Sequence, residues 1–318
     1  MMRVKKLIPL TIVIITILSL PGQVPGQACC TSGTPILGTL ELPAGVAGSF
    51  QTALTYQFNT LDDVINESTP LEESLRRRFT HSLVLESNYG LSDSWAVSGL
   101  LSFIRQGRHN NTLTSGKEVL KVTGLGDAVV LVKYSPLKAT LFSQRNLSVG
   151  AGPKIPLGDF RRRNKEGILL PYEMQPGTGA WDLILWSNFY QGFRPVPLSI
   201  YLTTAYRLTG RNSLGYQFGR ELTLNSGMTY DSSFPVDFSL AFKYRAVAPD
   251  SRNGQAIANT GGKWLNLKPA FYMHPVEKFT LKLSGQLPLY REVNGIQLTT
   301  SYRISVTGLV NFRINSQE

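Results

Sequence analysis

The sequence predicts an all-β chain, a transmembrane antiparallel β-barrel of about 12 strands with short periplasmic turns and long external loops. Three observations carry that reading. Apolar and polar residues alternate in runs of roughly nine to eleven, the length of a tilted strand that crosses a bilayer. The connections between runs alternate short and long. Beyond Leu20, no stretch is long and apolar enough to cross as a helix.

The chain opens with Met1 to Lys6, which holds three positive charges and no negative ones, followed by the apolar Leu7 to Leu20 and a stop at Pro21-Gly22. This is the pattern of a secretory signal peptide, assigned to 1–28. A periplasmic tail is expected over 29–47 and the barrel over 48–318. Cys29-Cys30 are the only cysteines. A lipid-modified N-terminal cysteine, a strained disulfide between neighbours, and a tail thiol without assigned chemistry all stand open, whereas a metal site lacks further thiols.

The first strand sets the pattern: Phe50, Thr52, Leu54, Tyr56 and Phe58 share one face, Gln51, Ala53, Thr55 and Gln57 the other. Further runs are read at Phe79–Tyr89, Trp95–Ile104, Asp127–Tyr134, Leu147–Lys154, Trp181–Tyr190 and Leu198–Arg207. They continue at Leu222–Tyr230, Asp237–Arg245, Leu265–Met273, Phe279–Leu287 and Leu298–Phe312. Between them, long polar connections (59–76, 105–124, 155–180, 208–221, 246–264) alternate with shorter ones such as Gly90-Leu91-Ser92-Asp93. An even number of strands leaves both termini on one side. Aromatic residues such as Tyr89, Trp95, Phe103 and Tyr134 fall on the apolar register near the strand ends, as interfacial girdles require.

Of the 318 residues 42% are apolar and 17% charged, below the ~25% charged fraction of soluble domains. Lys+Arg 32 against Asp+Glu 21 gives +11, and +8 once Arg3, Lys5 and Lys6 leave with the signal. If the greasy register meets lipid, the opposite register lines the lumen. Its charges are mostly positive: Lys133, Lys154, Arg207, Lys243, Arg245, Lys268, Lys282 and Arg303 against Glu86, Asp127, Asp182 and Asp237. Either this basic wall lines a wet passage that concentrates anionic or polar solutes, or the charges pair across strands and brace a narrow barrel. The longest loop, 155–180, carries Arg161, Arg162 and Arg163 and is a candidate plug or binding surface.

Catalytic residues are not expected. His81 falls on the outward register, His109 in a loop, and His274 at a periplasmic turn, so neither a Ser–His pair nor a histidine metal site is assembled. Gly124-Leu125-Gly126-Asp127 and Gly177-Thr178-Gly179 do not open helices and are read as loop-to-strand corners. No cofactor and no metal is expected; the expected partners are outer-membrane lipid and small-molecule solutes, with no nucleic acid.

Four segments occur in an order that resembles one family: Tyr89-Gly90-Leu91-Ser92-Asp93; Gly124-Leu125-Gly126-Asp127 with Val132-Lys133-Tyr134; Gly150-Ala151-Gly152-Pro153-Lys154-Ile155-Pro156-Leu157-Gly158; and Gln175-Pro176-Gly177-Thr178-Gly179-Ala180-Trp181-Asp182. The chain resembles the bacterial outer-membrane transporters of the phenol meta-pathway degradation type over about 48–312. The resemblance implies an outer-membrane barrel that moves small, often aromatic compounds, and it brings no catalytic residues. The expectation is therefore an outer-membrane channel or transporter for small solutes, aromatic and hydrophobic or polar and anionic. The alternative is a structural or adhesive barrel with a closed lumen.

Overall fold

The structure, a computed structural model, describes residues 40, 42, 47–72, 76–112, 116–138, 144–232 and 234–313. Its strands are β1 (Ser49–Asn66), β2 (Thr69–Leu71), β3 (Arg76–Gly90), β4 (Trp95–Thr112), β5 (Gly116–Leu125), β6 (Ala128–Leu137), β7 (Arg145–Ile155), β8 (Asp182–Phe193) and β9 (Leu198–Thr209). They continue with β10 (Tyr216–Gln217), β11 (Glu221–Tyr230), β12 (Val236–Val247), β13 (Ser251–Arg252), β14 (Gln255–Ala256), β15 (Gly262–Val276), β16 (Phe279–Val293) and β17 (Ile296–Arg313). One short 3-10 turn, Tyr172–Met174, interrupts the longest loop.

Consecutive antiparallel pairings run from β1 around to β17, and β17 pairs back on β1 from Ser49↔Arg313 to Asn66↔Ile296, which closes the sheet. β5 and β6 form one stave: β5 pairs the upper part of β4 and β6 the lower part, on either side of a break at Gly126-Asp127. Counted so, the barrel has twelve staves.

Alternation places the side chains as the sequence requires. On β1, Leu54 and Tyr56 point outward at 48% and 45% exposure while Ala53 and Gln57 are buried inward. Leu83, Leu85, Leu101, Phe103, Val132, Leu183, Leu240 and Ile304 extend this exposed apolar surface around the barrel. Water would not tolerate such a continuous band, and lipid does. Trp95 and Tyr134 pack at 4.7 Å between ring centroids, and Phe238 and Phe271 at 5.4 Å, along the periplasmic edge. The chain is an outer-membrane barrel.

Two expectations are corrected. Most of the predicted loops 59–76 and 105–124 are strand: β1 runs to Asn66, and β4 and β5 form a tall hairpin through Thr112 and Gly116. Pairing continues there while the outer face turns polar, at Arg105, Lys121 and Thr123, so the apolar signal ends at the membrane edge before the strand does. His109 accordingly lies in β4 rather than in a loop. Conversely, Asp127 stands between strands instead of opening one.

The interior is not uniformly polar. Val84, Leu100, Val129, Leu131, Ile184, Trp186 and Ala205 point inward from β3, β4, β6, β8 and β9 and pack around Leu40. Leu40 and Leu42, which precede the first strand, thus lie within the lumen. Their backbone is held by wall side chains. The Trp186 indole donates to the Leu40 carbonyl (3.1 Å), the Lys133 ammonium donates to the Leu42 carbonyl (2.6 Å), and the Leu42 amide donates to Glu86 Oε1 (3.4 Å).

Candidate functional site

Most of the inward charges fall into two groups that adjoin on β12, which gives Arg245 to the first and Lys243 to the second. The first is a ladder of alternating sign near the extracellular strand ends. Lys154 Nζ lies 2.7 Å from Asp127 Oδ2 and 3.2 Å from Asp182 Oδ2. Arg207 stands between Asp182 (3.9 Å) and Glu221 (3.5 Å), and Arg245 Nε lies 2.7 Å from Glu221 Oε1. The order Asp127, Lys154, Asp182, Arg207, Glu221, Arg245 follows the staves, because cross-strand neighbours share a face. Three carboxylates meet three cations, so the ladder is neutral. Lys154 is fully buried and also donates to the Ala180 carbonyl at 2.7 Å. Lower in the barrel, Lys133 and Glu86 form a further buried pair at 3.9 Å.

The second group surrounds a cavity of about 190 Å³. Lys243 from β12, Lys268 from β15, Lys282 from β16 and Arg303 from β17 line it, together with hydroxyls and amides such as Thr55, Gln57 and Gln286. Its apolar surface comes from Leu42, Ala53, Tyr272 and Leu309, and the Lys282 ammonium stands 5.2 Å from the centre of the Tyr272 ring. One carboxylate, Glu86, reaches this cavity against the four cations. The cations thus converge on one wall rather than encircling the lumen.

The loop after β7 covers the extracellular mouth. Asp127 holds both ends of it: Oδ1 accepts from the Gly158 amide at 3.1 Å, and Oδ2 accepts from the Thr178 amide at 3.0 Å and its hydroxyl at 2.7 Å. Gly158 and Gly177 touch backbone to backbone; a Cβ on Gly177 would come within 2.3 Å of the Gly158 carbonyl oxygen. From the side, Arg78 Nη2 donates to the Glu173 carbonyl (2.6 Å) and Gln106 Nε2 to the Met174 carbonyl (2.7 Å). Met174 and Gln175 are fully buried beneath the loop. Arg161, Arg162 and Arg163 instead point to solvent. Arg161 donates to Ser213 Oγ (2.7 Å), Arg162 pairs with Asp159 (2.8 Å), and Arg163 donates to the Gly167 carbonyl (2.6 Å).

Neighbouring loops join the same cap. The Tyr216 ring stacks on Tyr172 with centroids 3.7 Å apart, and its hydroxyl donates to Asp250 Oδ2. Asp250 Oδ1 accepts from the Gly219 amide at 2.7 Å. Burial pushes the Asp250 carboxyl up to about 6, against the lowering effect of those two donors.

Sequence reasoning missed Arg78, Gln106 and Glu221 by assigning them to loops or their edges. The signal was present: Arg78 and Gln106 continue the parity of the inward Ser82 and Ser102, and Glu221 that of Thr223. His274 sits at the end of β15, with Nε2 2.9 Å from Asp237 Oδ2 and Nδ1 3.1 Å from the Thr280 hydroxyl, a cross-strand tie at the periplasmic rim. His81 faces outward, where its Nδ1 meets the Tyr56 hydroxyl at 2.8 Å.

No family model matches the sequence, and no curated protein is detectably similar to it. Among solved structures, the chain is similar to the COG4313 outer membrane channel from Pseudomonas putida F1, at 13% identity and a TM-score of 0.66, over 86% of this chain and 98% of that one. A Pseudomonas aeruginosa FadL homologue (8% identity, TM-score 0.45, 90% and 98% covered) and the CymD monoaromatic hydrocarbon channel (7%, 0.39, 86% and 90%) share a more distant likeness. At these identities the likeness is one of fold: a closed antiparallel barrel of the outer-membrane kind.

Proposed function

We infer that the chain is an outer-membrane channel for small organic anions that carry an apolar or aromatic part. The observation that supports this most directly is the convergence of Lys243, Lys268, Lys282 and Arg303 on one cavity, with a single carboxylate among its lining residues. A cation excess inside a low-dielectric wall raises the local concentration of anions. The Tyr272 ring and Leu42 beside those cations give an aromatic body a surface to rest on, which agrees with the resemblance to transporters of aromatic degradation pathways. The residues assigned to the wall act by charge and contact, and no catalytic step is ascribed to them.

The neutral ladder from Asp127 to Arg245 serves a different purpose in this reading: it braces the barrel and anchors the covering loop. Liposome swelling tests the proposal. Vesicles holding the protein should admit benzoate faster than a neutral aromatic alcohol or an aromatic amine of similar size. Equal rates for all three would remove the basis for an anion channel.

A further inference from the structure

Beyond the lumen, the outer surface of the β3–β5 hairpin region carries a group of cations with no part in the channel reading. On this face Arg77 stands opposite His109, Phe79 opposite Gly107, and His81 opposite Arg105. On the next pairing, Arg105 stands opposite Thr123 and Gly107 opposite Lys121. Paired residues share a face, and the exposure of Arg77, Arg105 and Lys121 confirms that this face is the outer one. Immediately below lie the last lipid-facing residues, Leu83, Phe103 and Leu125.

Height along the barrel identifies what surrounds these charges. Trp95 marks the periplasmic girdle, and Arg105 lies ten residues further up the same strand. At roughly 3.4 Å per residue and a tilt of about 40°, that is about 26 Å, against an apolar band of about 25 Å. Arg105 therefore emerges at the outer-leaflet headgroups, with Lys121 one residue pair higher. Between them Gly107 leaves a gap that the Phe79 ring covers; a Cβ at Gly107 would meet that ring at 2.3 Å. The result is a low apolar floor edged by Arg77, Arg105 and Lys121.

Charge sets the occupant. Among the described residues on this face of β3, β4 and β5 there is no carboxylate, and Arg77, Arg105 and Lys121 form no ion pair with any described residue. Elsewhere on the outer surface the protein does neutralise such a cation: Lys263 faces Glu292 across the β15–β16 pair at 3.4 Å. We propose that Arg77, Arg105 and Lys121, around the Phe79–Gly107 floor, form a binding site for the phosphorylated sugar headgroup of an outer-leaflet glycolipid. Arginine can grip a phosphate with two parallel N–H donors, lysine adds a point charge, and the apolar band directly below takes the acyl chains. The site does not depend on what passes through the lumen.

The test uses the full chain purified in detergent, with doubly phosphorylated lipid A and the same lipid after enzymatic removal of its phosphates. Native mass spectrometry counts the retained lipid, and the thermal midpoint reports its stabilising effect. The doubly phosphorylated lipid should bind at least tenfold more tightly, and Arg105→Gln with Lys121→Gln should lose about tenfold or more, as expected when charge-assisted hydrogen bonds disappear. Arg161→Gln with Arg163→Gln, equally exposed cations on the covering loop, should bind as wild type does. Equal binding of the two lipids, or loss by both double variants alike, overturns the proposal. Because both changes lie on the outer face, single-channel conductance of the Arg105/Lys121 variant should equal that of wild type, which also verifies that it is folded.

Discussion

Lys243→Gln combined with Lys282→Gln should sharply reduce anion preference, and the size of the effect follows from the cavity. A sphere of 190 Å³ has a radius of about 3.6 Å, which puts a wall ammonium roughly 5 Å from an ion at the centre. At that separation one unit charge contributes about 0.8 kcal/mol with the dielectric of water and about 3 kcal/mol at an effective value of 20. Each charge therefore changes anion occupancy by roughly fourfold at the low limit and roughly 200- to 300-fold at the high one. Two removed together should lower the anion-to-cation permeability ratio by at least about tenfold. The measurement is the reversal potential in a planar bilayer under a potassium chloride gradient, where the double variant should move toward zero. Lys263→Gln, exposed and paired with Glu292 outside the lumen, should leave the potential in place. If the lumenal double variant keeps the wild-type reversal potential, the cavity is not on the conduction path and the assignment fails.

Other consequences concern the ladder and the cap. Lys154→Met leaves Asp127 and Asp182 buried without the cation they share, which should cost about 3–5 kcal/mol and appear as a lower thermal midpoint in detergent, whereas Lys154→Arg, which keeps a cation there, should lose less. An arginine variant as unstable as the methionine one would show that the fit of the lysine, not the stranded carboxylates, sets the loss. Asp127→Ala frees both ends of the covering loop, so trypsin should cut after Arg161–Arg163 at least about tenfold faster, whereas unchanged cleavage would place the anchor elsewhere. Asp250 titrates near 6 rather than its ordinary 3.8, so the folded cap binds its proton more tightly than the unfolded chain does. Its contribution is most favourable below about pH 4, declines as the pH rises to about 6, and is level above that, by about 3 kcal/mol in all. The difference in thermal midpoint between wild type and Asp250→Asn should track that window; a difference independent of pH would exclude Asp250 as its source.

The barrel was legible because alternation over a full membrane crossing has no other stable use: Leu54 and Tyr56 can face outward only if lipid is there to meet them. Parity also points Lys133, Lys154, Arg207 and Lys243 away from the lipid face, and these four side chains are buried. Strand length was not, because the apolar outer face ends at Phe103 while hydrogen bonding continues to Thr112. Nor could a sequence show that Val129, Leu131 and Ile184 pack on Leu40, because residues that are apolar on both faces of a stave carry no parity signal. The Arg161–Arg163 run stood out in the sequence and turns to solvent, whereas Met174 and Gln175 of the same loop are buried and looked unremarkable. A charge run marks solvation more readily than a site; the two ends of the loop are held by one carboxylate, Asp127, and two of the groups it accepts from are backbone amides that no pattern of side chains announces.

In the proposed function the two ways of reading a basic lumen, as passage or as brace, apply to different parts of the same wall. Buried charges persist only where each finds an opposite charge or stays wet. Between β6 and β12 the staves carry carboxylates at the matching heights, so Lys154, Arg207 and Arg245 close into a neutral ladder that locks strands and loop together. Lower on the wall, the cavity between β12 and β17 carries Thr280, Ser284, Gln286, Ser305 and Thr307 among Lys243, Lys268, Lys282 and Arg303. At the ladder's own height, level with Arg245 and Trp264, the pairing resumes between Arg291 of β16 and Asp63 of β1, so in the proposed function the brace follows the extracellular rim and the solute meets the cations of the cavity below it.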